Sequence, residues 1–150
     1  MKQIAIAVLL LGSMTCLQTK AQILKPVHWT YTAKKLNAGE AMLSIKATID
    51  EDWHVYSQHI KDGGPVKTSF TFTPSPDYTL EGVTAEPKPI VKMEPVFSME
   101  IGYFAHSVTF QQKIKLKRAQ TTVTGKLEYM TCNDHQCLPP EDIDFSIVVK

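Results

Sequence analysis

The chain has 150 residues, and its 16 Lys and Arg nearly balance 15 Asp and Glu, which gives a formal net charge of +1. This balance excludes nucleic-acid binding by a strongly basic surface. The length fits a single domain, with a core large enough to fold without a disulfide.

The N-terminus has the three parts of a secretory signal peptide. Residues 1–3 include a lysine, residues 4–12 form an apolar run too short to cross a bilayer, and residues 19–21 resemble a small-residue cleavage site. We expect residues 1–21 to be a signal peptide cut near Ala21, and residues 22–150 to form one domain in the periplasm or outside the cell.

A lipoprotein anchored through Cys16 is the less favoured alternative, because residues 13–15 match a lipoprotein lead-in poorly. Cleavage near Ala21 would remove Cys16 and two lysines, Lys2 and Lys20, so that the net charge falls by two, from +1 to −1. Two cysteines would then remain in an oxidising compartment, where disulfides persist.

The dominant sequence period along the rest of the chain is two, which is typical of β-strands. Turn-forming residues separate the alternating segments at the spacing of a β-sandwich. We expect an all-β, immunoglobulin-like β-sandwich of seven to nine strands in two sheets. The segments with this pattern are residues 29–32, 41–49, 69–72, 108–116, 121–130 and 145–149.

A proline-rich stretch interrupts this pattern. Residues 86–89 contain two prolines and cannot form a central strand, because proline has no N–H for the hydrogen-bond ladder. From there to Gly102 we expect a long loop that lies over an edge or an end of the sandwich. Lys113, Lys115 and Lys117 alternate on one strand and are expected to point to solvent, where they would protect an exposed sheet from edge pairing.

The two remaining cysteines, Cys132 and Cys137, are separated by four residues, lie between strand-like runs and are followed by Leu138-Pro139-Pro140. A disulfide between them would close a small loop. It would stabilise the folded state by only about 2 kcal/mol through lost chain entropy of the unfolded state, which is inefficient for a structural disulfide. A plain hairpin clip and a working redox pair both remain open at this point.

Exchange chemistry needs a thiolate, and this pair lacks the helix N-terminus that stabilises the thiolate of Cys-x-x-Cys motifs. His135 could lower a cysteine pKa when protonated, or it could simply be solvated, while Asp134 would oppose thiolate formation. We expect a thiol that ionises poorly and stays shielded until a partner binds.

Cys-x4-Cys followed by an apolar residue and Pro-Pro, late in a secreted β-sandwich, resembles the N-terminal periplasmic domain of the DsbD thiol:disulfide interchange protein. Residues 53–56 and Phe97 support the resemblance, which covers nearly all of residues 22–150. It implies an immunoglobulin-like domain that receives electrons from a membrane-embedded partner and passes them to periplasmic oxidoreductases. Cys132 and Cys137 would then be the catalytic redox couple.

The resemblance also implies an aromatic cap, in which the Phe97 ring covers the disulfide and His54 and Tyr56 lie beside it. Each residue has an alternative role: Phe97 as a loop anchor, Tyr56 as a core tyrosine and His54 as a surface histidine. The chain differs from the family pattern in having Pro95-Val96 where acidic residues precede the cap phenylalanine. It also has four rather than five residues between the cysteines.

The family's membrane segment and C-terminal thioredoxin-like domain are not in this chain. The resemblance therefore implies a separate membrane electron donor, thioredoxin-like periplasmic oxidoreductases as partners, and oxidoreductase activity on protein substrates. We expect no cofactor, resident metal or small-molecule substrate, and Gly63-Gly64 has the pattern of a turn rather than a phosphate-binding loop.

Two other functions stay open. The first is a non-catalytic immunoglobulin-like binding module in which the disulfide is structural. The second is copper handling, since Cys132, His135 and Cys137, with a thioether from Met130 or Met99, would suit Cu(I).

Overall fold

The computed structural model describes residues 23–150, so the predicted signal peptide and Cys16 lie outside it. Residues 23–150 form eleven β-strands and no helix. The strands are β1 (Val27–Asn37), β2 (Glu40–Ile49), β3 (His54–Tyr56), β4 (Ser69–Phe72), β5 (Tyr78–Ala85), β6 (Ile90–Glu94), β7 (Met99–Ala105), β8 (Ser107–Leu116), β9 (Thr121–Tyr129), β10 (Thr131–Cys132) and β11 (Glu141–Val149). Within this range no helix could therefore span a membrane.

The strands form three antiparallel sheets. Their orders are β1-β2-β8-β5, β10-β3-β7-β6 and β11-β9-β4. The first and third sheets share one apolar core, to which β3 and β7 of the second sheet contribute Val55 and Phe104. The second sheet thus packs one face on the sandwich and carries the disulfide on the other.

The core follows from the two-residue alternation of β2 and β8. Leu43, Ile45, Phe110 and Ile114 are fully buried, whereas their chain neighbours mostly face outward. The Phe110 ring contacts the ring of Phe104, with centroids 5.8 Å apart. This contact ties the second sheet to the main core.

The predicted all-β sandwich is confirmed, but eleven strands in three sheets replace the expected seven to nine in two. The expected long loop between residue 86 and Gly102 is wrong. β6 and β7 pair there as a hairpin, joined by a turn at residues 95–98. The prolines exclude a central strand, but β6 starts after Pro89 and lies at a sheet edge, where a proline neighbour is tolerated.

Lys115 and Lys117 are exposed as expected, but the edge protection expected of Lys113, Lys115 and Lys117 is wrong. β8 lies inside its sheet, between β2 and β5, so it has no free edge to protect. The Lys113 ammonium lies 2.6 Å from Glu40 and 3.1 Å from Glu81, and so connects the three strands across their outer face.

Candidate redox site

Cys132 and Cys137 form a disulfide at the end of β10, with their Cα atoms 4.1 Å apart. Hydrogen bonds hold the enclosed loop independently of the sulfurs. The Asn133 N–H donates to the Gln136 carbonyl at 2.9 Å, and the Asn133 side-chain oxygen accepts from the N–H groups of His135 and Gln136 at 2.9 and 2.8 Å. The loop is therefore shaped by more than the S–S bond.

The pairing of β10 with β3 sets the surroundings of the disulfide. Cys132 lies opposite His54, and Thr131 lies opposite Val55. The Thr131 hydroxyl donates to the His54 carbonyl at 2.8 Å and reinforces this register. Because side chains two residues apart share a face, Tyr56 lies on the same face as His54 and Cys132.

The two cysteines differ in exposure. Cys132 is 2% exposed and packs with Tyr56 and Ile101, whereas Cys137 is exposed. An incoming thiolate would therefore reach Cys137 more readily than Cys132, and attack there would make Cys132 the leaving sulfur.

The turn between β6 and β7 places Phe97 against the buried side of the disulfide. Phe97 is half-buried and packs on the cluster of Tyr56, Ile101 and Cys132. Its N–H donates to the Glu94 carbonyl at 3.1 Å, and the Ser98 N–H donates to the Pro95 carbonyl at 3.3 Å. Ser98 has a φ of 53°, in the left-handed region, which closes the turn.

His54 and Tyr56 form a polar contact beside the disulfide. His54 Nε2 lies 3.2 Å from the Tyr56 hydroxyl, and the His54 ring also lies against Tyr103, with centroids 5.0 Å apart. Burial lowers the pKa of His54 below its usual 6.5. Burial also raises the pKa of Tyr56 to about 12, with a further contribution from the Glu94 carboxylate.

A cavity of about 440 Å³ lies beside the disulfide. It brings together every predicted site residue: Cys132, Cys137, Phe97, His54, Tyr56 and His135. Of these, His135 lies in the exposed loop. The sequence prediction missed Lys92 and Glu94 of β6, which also line the cavity, because the prolines before β6 had predicted a loop. Their alternation with Val91 and Met93 was the signal that could have revealed a strand.

The copper alternative has no preformed site in the described part of the chain. Residues 23–150 contain no cluster of three or more His, Cys, Asp or Glu side chains arranged to hold a metal ion. Both sulfurs are also engaged in the disulfide, so neither is a thiolate ligand in this state.

Comparisons with known proteins agree with this architecture. The family model for the N-terminal part of the thiol:disulfide interchange protein DsbD matches residues 20–148. No curated protein sequence matches the chain.

Three solved structures show a similar fold at low sequence identity. The reduced DsbD N-terminal domain of Neisseria meningitidis has 16% identity and a TM-score of 0.51, over 79% of this chain and 83% of that one. The same organism's DsbD N-terminal domain in complex with the PilB N-terminal domain has 15% identity and a TM-score of 0.54, over 83% and 87%. The N-terminal periplasmic domain of ScsB from Proteus mirabilis has 18% identity and a TM-score of 0.53, over 82% of this chain and 44% of that one.

These likenesses show the immunoglobulin-like fold that the strand pattern predicts, and the family match extends over most of the chain. The chain belongs to the family of the N-terminal domain of the thiol:disulfide interchange protein DsbD.

Proposed function

We propose that this domain is a periplasmic thiol–disulfide interchange module that passes reducing equivalents through the Cys132–Cys137 couple to partner oxidoreductases. The observation that carries the proposal is the asymmetry of the disulfide. One sulfur belongs to a buried residue beneath an aromatic cap, and the other belongs to an exposed residue on the rim of the same cavity.

The exchange has two steps. A thiolate of a reduced donor attacks the Cys137 sulfur, the Cys132–Cys137 bond breaks, and Cys132 leaves as a thiolate that takes up a proton. The donor's second thiol then attacks the donor sulfur of the mixed disulfide and releases Cys137. The donor is then oxidised, and this domain is a dithiol. The same steps in reverse reduce the next partner.

The geometry of the cavity supports a role for each residue around the disulfide. Phe97 is the cap, and a partner must displace the turn at residues 95–98 to reach the buried side of the disulfide. His54 and Tyr56 line the wall beside Cys132, and His135 lies on the exposed loop between the cysteines.

The family and the structural neighbours support the compartment and the class of partner. The ScsB domain is described as periplasmic, and a DsbD N-terminal domain of this fold forms a complex with the PilB N-terminal domain. We infer that residues 1–21 direct this chain to the periplasm, that residues 22–150 are the mature domain, and that a separate membrane protein supplies its electrons.

A trapping experiment tests the function. Cys132→Ser removes the sulfur that would attack Cys137, so a mixed disulfide formed between Cys137 and an oxidised partner cannot be resolved by this domain. We expect this variant to form a stable, reductant-sensitive adduct with thioredoxin-like oxidoreductases of the source periplasm, as seen on non-reducing gels and by mass spectrometry.

Cys137→Ser is the matched control, because it leaves only the buried sulfur and should form far less adduct. The proposal fails if neither variant captures an oxidoreductase and the wild-type disulfide exchanges no electrons with one. A structural clip in a binding module would give that result.

A further inference from the structure

Burial of Cys132 creates a proton-transfer problem for the exchange reaction. When the reduced domain reduces a partner, the Cys132 thiol must lose its proton before its sulfur can attack Cys137. Cys132 is 2% exposed and packs with Tyr56 and Ile101. Such surroundings disfavour a thiolate, and β10 provides no helix N-terminus to stabilise one.

His54 is placed to take this proton. It is the direct cross-strand partner of Cys132, and the two residues line one cavity. Directly opposed side chains share a face, with Cβ atoms about 4.5–5.5 Å apart. The Tyr56 hydroxyl at 3.2 Å and the Tyr103 ring fix the orientation of the imidazole.

The protonation state of His54 suits a base. Burial lowers its pKa from the usual 6.5, which favours the neutral imidazole, while the charges of Glu94 and Asp134 oppose that shift and Lys92 adds to it. Glu94 and Asp134 would in turn stabilise the imidazolium that forms when a proton arrives. His135 is less suited to this role, because it lies in the exposed loop rather than opposite the buried cysteine.

Titratable groups of the neighbouring elements line the same cavities as His54. A second cavity of about 280 Å³, also lined by His54, adds further acidic and imidazole groups. The titratable groups of the two cavities, apart from the cysteines, are Tyr56 of β3, Lys92 and Glu94 of β6, Tyr103 of β7, Asp134 and His135 of the loop, and Glu51, Asp52 and His106 of the second cavity.

We propose that His54 is the proton carrier of Cys132, an inference that rests on the proposed exchange function. The Cys137 thiolate first attacks the partner disulfide and forms the mixed disulfide. The partner sulfur that is released takes up, through solvent, the proton that Cys137 has lost. The Cys132 thiol then gives its proton to the His54 imidazole, and its sulfur attacks Cys137. The Cys132–Cys137 bond forms, the mixed disulfide breaks, and the departing partner sulfur takes the proton from the imidazolium.

The test follows oxidation of the reduced protein by equimolar 5,5′-dithiobis-(2-nitrobenzoate) in a stopped-flow spectrometer. Attack by Cys137 releases the first thionitrobenzoate, and intramolecular attack by Cys132 releases the second. The second rate reports deprotonation of Cys132 without any protein partner, and the first rate is an internal control within the same molecule.

We expect the wild-type second rate to be nearly constant from about pH 6.5 to 8, because neutral His54 takes the proton. His54→Phe, which keeps an aromatic ring against Tyr56 and Tyr103, should instead give a second rate that rises about tenfold per pH unit with the free thiolate. At pH 7 its second rate should be lower by about tenfold or more, while its first rate is retained. His54→Gln provides a second test if the phenylalanine variant folds poorly.

His28→Gln is the matched control, because the His28 side chain is 63% exposed on β1, and its rates should equal those of the wild type. If both His54 variants keep the wild-type pH profile, the inference is wrong and the exchange function stands. A wild-type protein that never releases the second thionitrobenzoate would overturn both.

Discussion

Phe97 is the proposed cap of the disulfide and covers the side on which Cys132 is buried. Its half-buried ring packs on the cluster that contains Cys132. We predict that Phe97→Ala increases the rate at which dithiothreitol reduces the disulfide by roughly tenfold, because approach is one determinant of exchange rates. Mass spectrometry after timed alkylation measures that rate.

Val96→Ala tests whether the effect belongs to the ring or to the turn. Val96 is 85% exposed in the same turn, so its truncation removes little cover from the cysteines. A Phe97→Ala protein that is reduced no faster than Val96→Ala would show that Phe97 is a loop anchor rather than a cap.

Gly125 is the residue at which β9 tolerates no side chain. A Cβ there would lie 2.5 Å from Cζ of Phe145 and 2.5 Å from the Thr71 carbonyl oxygen. We predict that Gly125→Ala lowers the free energy of unfolding by about 1–3 kcal/mol, as expected for overpacking, measured by urea denaturation. Gly39→Ala should cost clearly less, since its nearest contact would be an ordinary 3.7 Å, and equal losses would contradict the packing argument.

At the scale of elements, the loop between the cysteines keeps its shape through backbone and Asn133 hydrogen bonds. Reduction should therefore remove only the chain-entropy contribution of a six-residue ring, about 2 kcal/mol. We predict that the reduced protein stays folded, with an unchanged far-ultraviolet circular dichroism spectrum and a free energy of unfolding, measured by urea denaturation, lowered by that amount. Loss of the fold on reduction would identify the disulfide as a structural staple.

The sequence was most informative where alternation and burial coincide. The strand pattern around Ile45, Phe110 and Val123 predicted β2, β8 and β9, because one face of each strand packs on the core. β6 was missed because its alternation of Val91 and Met93 with charged residues is short, largely exposed and follows Pro87 and Pro89. The pairing of β3 with β10 does not follow from the strand pattern, because the two strands are far apart in the chain and only three and two residues long; only the family resemblance implied that His54 and Tyr56 lie beside the cysteines.

At the scale of the whole molecule, buried tyrosines link stability to alkaline pH. Burial, with the nearby Glu141 carboxylate, raises the pKa of Tyr129 from 10.0 to about 12. Since the unfolded phenol loses its proton first, stability is complete below pH 10 and falls as the pH approaches 12. We predict a falling melting temperature over this interval, and a shallower fall for Tyr129→Phe. Identical pH slopes for the two proteins would contradict the assignment.

The first and third sheets form the shared core, and the second sheet presents the disulfide, Phe97, His54 and Tyr56 around one cavity. In the proposed exchange the turn at residues 95–98 moves and the core stays in place. The core is thus separate from the face that carries the disulfide, so the disulfide can open and close without disturbing core packing.

The reduction potential of the Cys132–Cys137 pair tests the central claim most directly. It is obtained by equilibrating the protein with graded thiol buffers and counting alkylated cysteines by mass. A cycling couple predicts a value between about −180 and −270 mV, the range of thiol–disulfide exchange proteins. A value below about −300 mV would mark a structural disulfide and contradict the account.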